Sequence, residues 1–238
     1  MRSMFAGKLK MLVNMKCKKV FLLYFFLFMV SVFYANGQKI YDVYPEVREN
    51  SIVINNTALD MIEDEKHASA VKILESVLED DPSFHPAYLN YYRAGRHVQE
   101  KIEKVVEVLK VGLEIFEEDD EMAYYLGNLL QKEERFEEAI EAYTDAINYS
   151  KVNGEDFPLV WAYHFNRGNC YLKTGQYKKA IPDYDYALTL SPDNYDILTN
   201  RGYAYYKTEK GEAACKDWNT ALDLGSKVTD KYLETYCK

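Results

Sequence analysis

Apolar and small residues return every 34 positions over most of this chain, a period that marks stacked repeats rather than a single folded core. Residues 161–194 and 195–228 align without a gap. In both, the eighth residue is Gly (Gly168, Gly202), the eleventh is Tyr (Tyr171, Tyr205) and the twentieth is Ala (Ala180, Ala214). The twenty-fourth is aromatic (Tyr184, Trp218) and the twenty-seventh is again Ala (Ala187, Ala221). A third window, 120–153, keeps Gly127, Ala139, Tyr143 and Ala146 in the same places. Windows 86–119 and 51–84 are looser; the first retains Leu109 and Gly112, the second Ala58, Ala70, Leu74 and Pro82.

Each window reads as two helices joined by a turn such as Lys173-Thr174-Gly175-Gln176. Small residues at the eighth and twentieth places let the two backbones approach to ~8–10 Å. The aromatic residues at the eleventh and twenty-fourth places fill the wedges beside them, which accounts for a count of 22 Tyr. Pro82 and Pro192 fall just past second helices, where a missing N–H does little harm, and Pro182 is expected to bend its helix slightly. One such pair cannot bury its apolar side alone, so copies must stack. Window 86–119 carries Arg93 where Gly is expected and Val105 where Ala is expected. Its helices should therefore sit farther apart or be tilted. Residues 38–50 read as an N-terminal linker and 154–160 as an insert between windows.

The beginning of the chain has another character. Residues 1–37 contain no Asp or Glu, carry six basic residues, and include the apolar run Val20–Tyr34 followed by Ala35-Asn36-Gly37. A basic start, a short apolar stretch and a small-residue cut form a secretory signal peptide. Fifteen helical residues span about 22 Å, short of a ~30 Å hydrocarbon core, so cleavage before Gln38 is expected and membrane contact ends with it. Translation from Met11 or Met15 would leave the same signal intact. Net charge is −9 for the whole chain; loss of the six basic residues leaves −15 over residues 38–238. Such a charge repels anionic surfaces and excludes nucleic acid as the main partner.

The places of the small and aromatic residues at 161–228, and less fully at 120–153 and 51–119, resemble the tetratricopeptide repeat family. That resemblance implies an all-α, right-handed α-α superhelix. The run AACKDWNTALDLGSKVTDKYLETYC resembles the terminal repeat and cap of exported bacterial members, so residues from about Ser226 to Tyr236 should form a capping helix, with 229–238 as its end and the C-terminus. In this family the first helices line a concave groove. The groove places then hold Tyr124, Asn128, Lys132, Phe165, Asn169, Lys173, Tyr203, Tyr206 and Lys207, with Asn166 and Asn200 beside them. An amide donates and accepts at once, so an Asn ladder can hold an extended peptide backbone. Three lysines at the thirteenth place would suit a carboxylate, and the aromatic residues would act as apolar anchors. Members that clamp a C-terminal carboxylate carry Lys where this chain has Tyr124 and Phe165, which argues for a more apolar ligand segment. The bland alternative is that Asn bonds a neighbouring helix and Lys keeps the surface wet.

Cys215 falls on the last second helix and Cys237 at the end of the cap, and export permits a disulfide between them; two unpaired thiols are the alternative. Cys170 reads as a small core residue. The four His are scattered and no CxxC, HExxH, GxGxxG, GxxxxGK or GxSxG motif occurs, so neither a metal site, a cofactor nor a catalytic constellation is expected. These features point to a non-enzymatic, exported scaffold that binds a protein or peptide in its groove. The alternative is a self-assembling envelope component that makes contact through its convex face or the 154–160 insert, where Phe157-Pro158-Leu159-Val160 is apolar.

Overall fold

The computed structural model describes residues 32–35, 38–154 and 159–237. The chain divides into two compact units, one up to Ala94 and one from Gly95. In the first, strands β1 (Val32–Ala35) and β2 (Gln38–Tyr41) pair antiparallel, and helices α1 (Pro45–Glu63), α2 (His67–Asp80) and α3 (His85–Gly95) follow. The expected signal peptide lies outside the described residues except for 32–35. The expected linker 38–50 is largely structured: 38–41 is a strand, and α1 starts at Pro45, a residue suited to a first helical turn. The guanidinium of Arg48 pins this start to Asp81, which is fully buried, and to Ser83 at 2.8 Å.

The second unit contains a short 3-10 turn (Gln99–Lys101) and α4 (Ile102–Ile115). It continues with α5 (Asp120–Lys132), α6 (Phe136–Asn153), α7 (Val160–Lys173), α8 (Tyr177–Leu190), α9 (Tyr195–Lys207) and α10 (Gly211–Asp223). A last helix, α11 (Thr229–Tyr236), packs on α10. It begins three residues later than the expected cap. From α4 onward each helix packs on its successor, as stacked hairpins must. Among the described residues no helix is long and apolar enough to cross a membrane.

The turns inside the hairpins share one backbone device. Glu65, Glu134, Gly175 and Glu209 all stand at the fifteenth place of their windows, and all have φ between 58° and 74°. Six-residue backbone bonds close these turns, from Lys66 N–H to Met61 O, Arg135 to Leu130, Gln176 to Tyr171 and Lys210 to Tyr205. This is a Schellman ending, which requires one left-handed residue. Side-chain caps appear instead at first helices: Asp119 accepts from Met122 N–H at 2.9 Å, and Asn194 from Asp196 N–H at 3.1 Å.

The eighth and twenty-fourth places meet face to face. A Cβ on Gly127 would lie 2.5 Å from the Tyr143 ring, on Gly168 2.7 Å from the Tyr184 ring, and on Gly202 2.5 Å from the Trp218 indole. Glycine is therefore required because an aromatic ring occupies the space a Cβ would take. The two loose windows have Leu74 and Leu109 at the twenty-fourth place, both buried, and in window 51–84 the narrower Leu74 removes the need for Gly at Ala58. Arg93 is exposed on α3, and Val105 is fully buried on α4. Arg167 and Lys179 flank the Tyr171 ring at 6.0 and 5.5 Å, and Arg201 and Lys210 flank Tyr205 at 5.7 and 5.6 Å. The eleventh-place tyrosines are thus half-buried cation–π partners rather than purely apolar wedges.

Candidate peptide-binding groove

The groove candidates lie on α5, α7 and α9, the first helices of the three strongest windows. Their asparagines form a ladder between copies. Asn166 donates from Nδ2 to Asn128 Oδ1 at 3.0 Å, and Asn200 donates to Asn169 Oδ1 at 2.8 Å. The phenols of Tyr143 and Tyr184 bond the same two acceptors at 2.8 Å each. Both Oδ1 atoms are thereby occupied. The amide N–H groups of Asn128 and Asn169 and the carbonyls of Asn166 and Asn200 are left over from this pairing, on four half-buried side chains. In the first unit Asn90 donates to Asn55 at 2.9 Å in a related, more deeply buried pair.

The lysines do not act as one cluster. Lys132 donates to the Arg96 carbonyl at 2.8 Å, and Lys207 lies over the rings of Tyr203 and Tyr206 at 5.4 and 5.9 Å. The Tyr203 phenol, by charge and hydrogen bond, raises the Lys207 amine above its ordinary value. Lys173 is exposed. A cavity of about 570 Å³ opens beside Lys207, between the turns at Gly175–Gln176 and Thr208–Glu209, and is also lined by Lys178 and Lys179. It sits at helix ends, away from the asparagine ladder.

The aromatic candidates split into two groups. Tyr124 packs 4.8 Å from the ring of Tyr163, and Phe165 lies 6.1 Å from both Trp161 and Tyr184. Both remain half-exposed. Tyr203 and Tyr206 instead meet the capping helix, with Tyr232 at 6.3 Å and Tyr236 at 4.3 Å. Cys215 and Cys237 are joined by a disulfide with Cα atoms 5.7 Å apart. Cys170 is fully buried, and burial pushes its thiol up to about 12.

One repeated constellation stands outside the expected groove residues. Arg167 forks onto Asp183 at 2.9 and 2.6 Å, and Arg201 onto Asp217 at 2.7 and 2.8 Å. Both pairs stand at the seventh and twenty-third places, sixteen residues apart. Each arginine also reaches the twenty-fifth place of the preceding window, Thr144 at 3.0 Å and Asp185 at 2.8 Å. These forks therefore tie consecutive hairpins together. His164, nearly buried against the Tyr186 ring, adds Nδ1 to the same Asp183 at 3.1 Å.

Two segments match family models described as tetratricopeptide repeat, residues 121–153 and 161–194. The chain carries tetratricopeptide repeats in these segments. Solved structures agree on the fold. MamA superposes at TM-score 0.65 with 19% identity, covering 79% of this chain and 96% of MamA. YrrB, a TPR protein with an unusual peptide-binding site, superposes at 0.64 with 21% identity, covering 79% of this chain and 94% of YrrB. PilF of Pseudomonas aeruginosa follows at 0.61 with 17% identity, covering 76% and 79%. At these identities the likeness establishes the all-α tetratricopeptide solenoid. No curated protein matches this sequence.

Proposed function

We propose that this tetratricopeptide-repeat protein is a non-enzymatic, exported scaffold that holds an extended segment of another protein along α5, α7 and α9. The supporting observation is the asparagine ladder. Asn128 and Asn169 keep amide donors, and Asn166 and Asn200 keep carbonyl acceptors, once per window on half-buried side chains. Peptide backbone presents the complementary groups at regular intervals, so such a row holds a chain without reading its side chains. Tyr124 and Phe165 supply apolar contact between the rungs, and Lys173 offers a charge for an acidic group. Peptide binding by the neighbour YrrB is in keeping with this reading.

A photoreactive residue at position 165, introduced in the native cell, should crosslink to one partner. The same residue at exposed Glu212 on α10 should not. Equal capture at both positions, or none at 165, rejects the groove. Lys173→Glu should weaken binding of that partner, and added salt should do the same if charge contributes, because the screening length is ~8 Å at physiological strength.

A second reading, self-assembly, is favoured by Val152, just before the insert, and Leu159, within it, which are 64% and 37% exposed; residues 155–158 between them lie outside the described residues. Light scattering on the purified chain decides it: a monomer at micromolar concentration excludes this route.

A further inference from the structure

Helix α11 is poorly equipped to stand alone. It has eight residues, of which Thr229 is buried, and isolated helices of such length are marginal in water. Rings and a covalent bond hold it. Tyr232 lies 5.1 Å from Trp218 and 6.3 Å from Tyr203, while Tyr236 lies 4.3 Å from Tyr206 and 6.0 Å from Trp218. The two tyrosines are four residues apart and so share one helix face. Beneath them Trp218 is fully buried, with its indole N–H on the Thr199 carbonyl at 3.1 Å. Lys207 stands at the rim, over Tyr203 and Tyr206. The Cys215–Cys237 disulfide joins α10 to the residue just past α11.

In earlier windows the ninth place is covered by the next first helix, where Asn128 meets Asn166 and Asn169 meets Asn200. Tyr203 occupies that ninth place in the last window, and Tyr232 of α11 is what meets it. The capping helix thus takes the position of a further repeat, with rings in place of amides. Its hold consists of tilted aromatic contacts and a tether, and of its eight residues only Thr229 is buried.

We propose that α11 is an intramolecular ligand latched by the Cys215–Cys237 disulfide. The floor it covers, Tyr203, Tyr206 and Trp218, is a binding site for a short helix bearing two aromatic residues four apart. The latch opens by thiol–disulfide exchange with a dithiol reductant, which supplies two electrons and two protons. Cys215 and Cys237 become thiols, and the dithiol closes to its own disulfide. Once untethered, the tail regains chain freedom that the ring contacts must offset unaided. The inference stands apart from the groove reading: its floor is in the last window, and its probe is the chain's own terminal segment.

The test uses the chain from Gln38 with Trp161→Phe, so that Trp218 alone reports. Acrylamide quenching of Trp218 should rise about threefold on adding dithiothreitol, and equally in a Cys215→Ser/Cys237→Ser variant. Far-UV ellipticity should fall by no more than the eight residues of α11. A quadruple variant of the same chain, Cys215→Ser/Cys237→Ser/Tyr232→Ala/Tyr236→Ala, should bind a labelled peptide of residues 226–237 with Cys237→Ser. The same peptide with both tyrosines changed to Ala should bind about tenfold more weakly, and the oxidised chain should bind neither. Unchanged protection of Trp218 in both the reduced chain and the Ser variant overturns the latch. Loss of the whole fold on reduction also overturns it, since α11 would then belong to the core. Failure of the peptide to bind the quadruple variant overturns the site.

Discussion

A single hydrogen on Gly168 decides whether its hairpin closes. The Tyr184 ring leaves 2.7 Å for a Cβ there, and Tyr184 is fully buried, so the ring has nowhere to go. Gly168→Ala should cost about 1–3 kcal/mol in urea unfolding, and Tyr184→Leu in the same chain should recover part of it. The turns predict the opposite sign. Glu209 holds φ 62° where the equivalent residue, Gly175, holds 74°. Left-handed backbone costs a side chain roughly 1–2 kcal/mol, so Glu209→Gly should raise the thermal midpoint, and Gly175→Ala should lower it although nothing crowds its Cβ. Cys170 makes a chemical prediction. Burial first, and the Glu137 charge second, push its thiol up to about 12, and burial also raises the phenols of Tyr163 and Tyr184. In the unfolded chain such groups ionise from about pH 9 upward; in the folded chain they stay neutral. Their contribution is therefore complete below pH 9 and is lost as pH rises further. The urea midpoint should be level from neutral pH to about 9 and fall above it, and Cys170 should resist thiol reagents until denaturant is added.

Between elements, the arginine forks carry the coupling. Asp183 is nearly buried and receives Arg167 and His164 together, while Arg167 continues to Thr144 of the preceding hairpin. Removing one partner leaves the other charge buried and uncompensated. Asp183→Ala should thus cost about 3–5 kcal/mol, and the double change Arg167→Leu/Asp183→Leu distinctly less, as measured by denaturant melts. The spacing was visible in the sequence, since Arg and Asp recur sixteen apart in two aligned windows. The spacing alone does not mark a buried fork, because charged residues on helices are usually solvated and only packing decides which ones lose water. The hairpins themselves were readable because Gly, Ala and aromatic residues must return at fixed places for every copy to stack. The first helix was not: α1 begins at Pro45, ahead of its window, because Arg48 extends it to reach Asp81.

At the largest scale, stability within the second unit should be distributed by neighbourhood, each hairpin leaning on the next. Hydrogen exchange should be slowest in α5 to α9, which are packed on both sides, and fastest in α11. Uniform protection along the chain would contradict a stacked array. What residue order determined unaided was the architecture, because a period of 34 with small and aromatic residues in phase has few other physical solutions. Tertiary structure alone decided the use made of exposed-looking polar residues. Asn128 and Asn169 bond the next copy, Lys132 bonds the Arg96 carbonyl, and Tyr203 and Tyr206 lie under the chain's own cap. Helical spacing tells which side chains share a face. What stands opposite that face depends on how neighbouring hairpins are set against each other, and that information resides in no single helix.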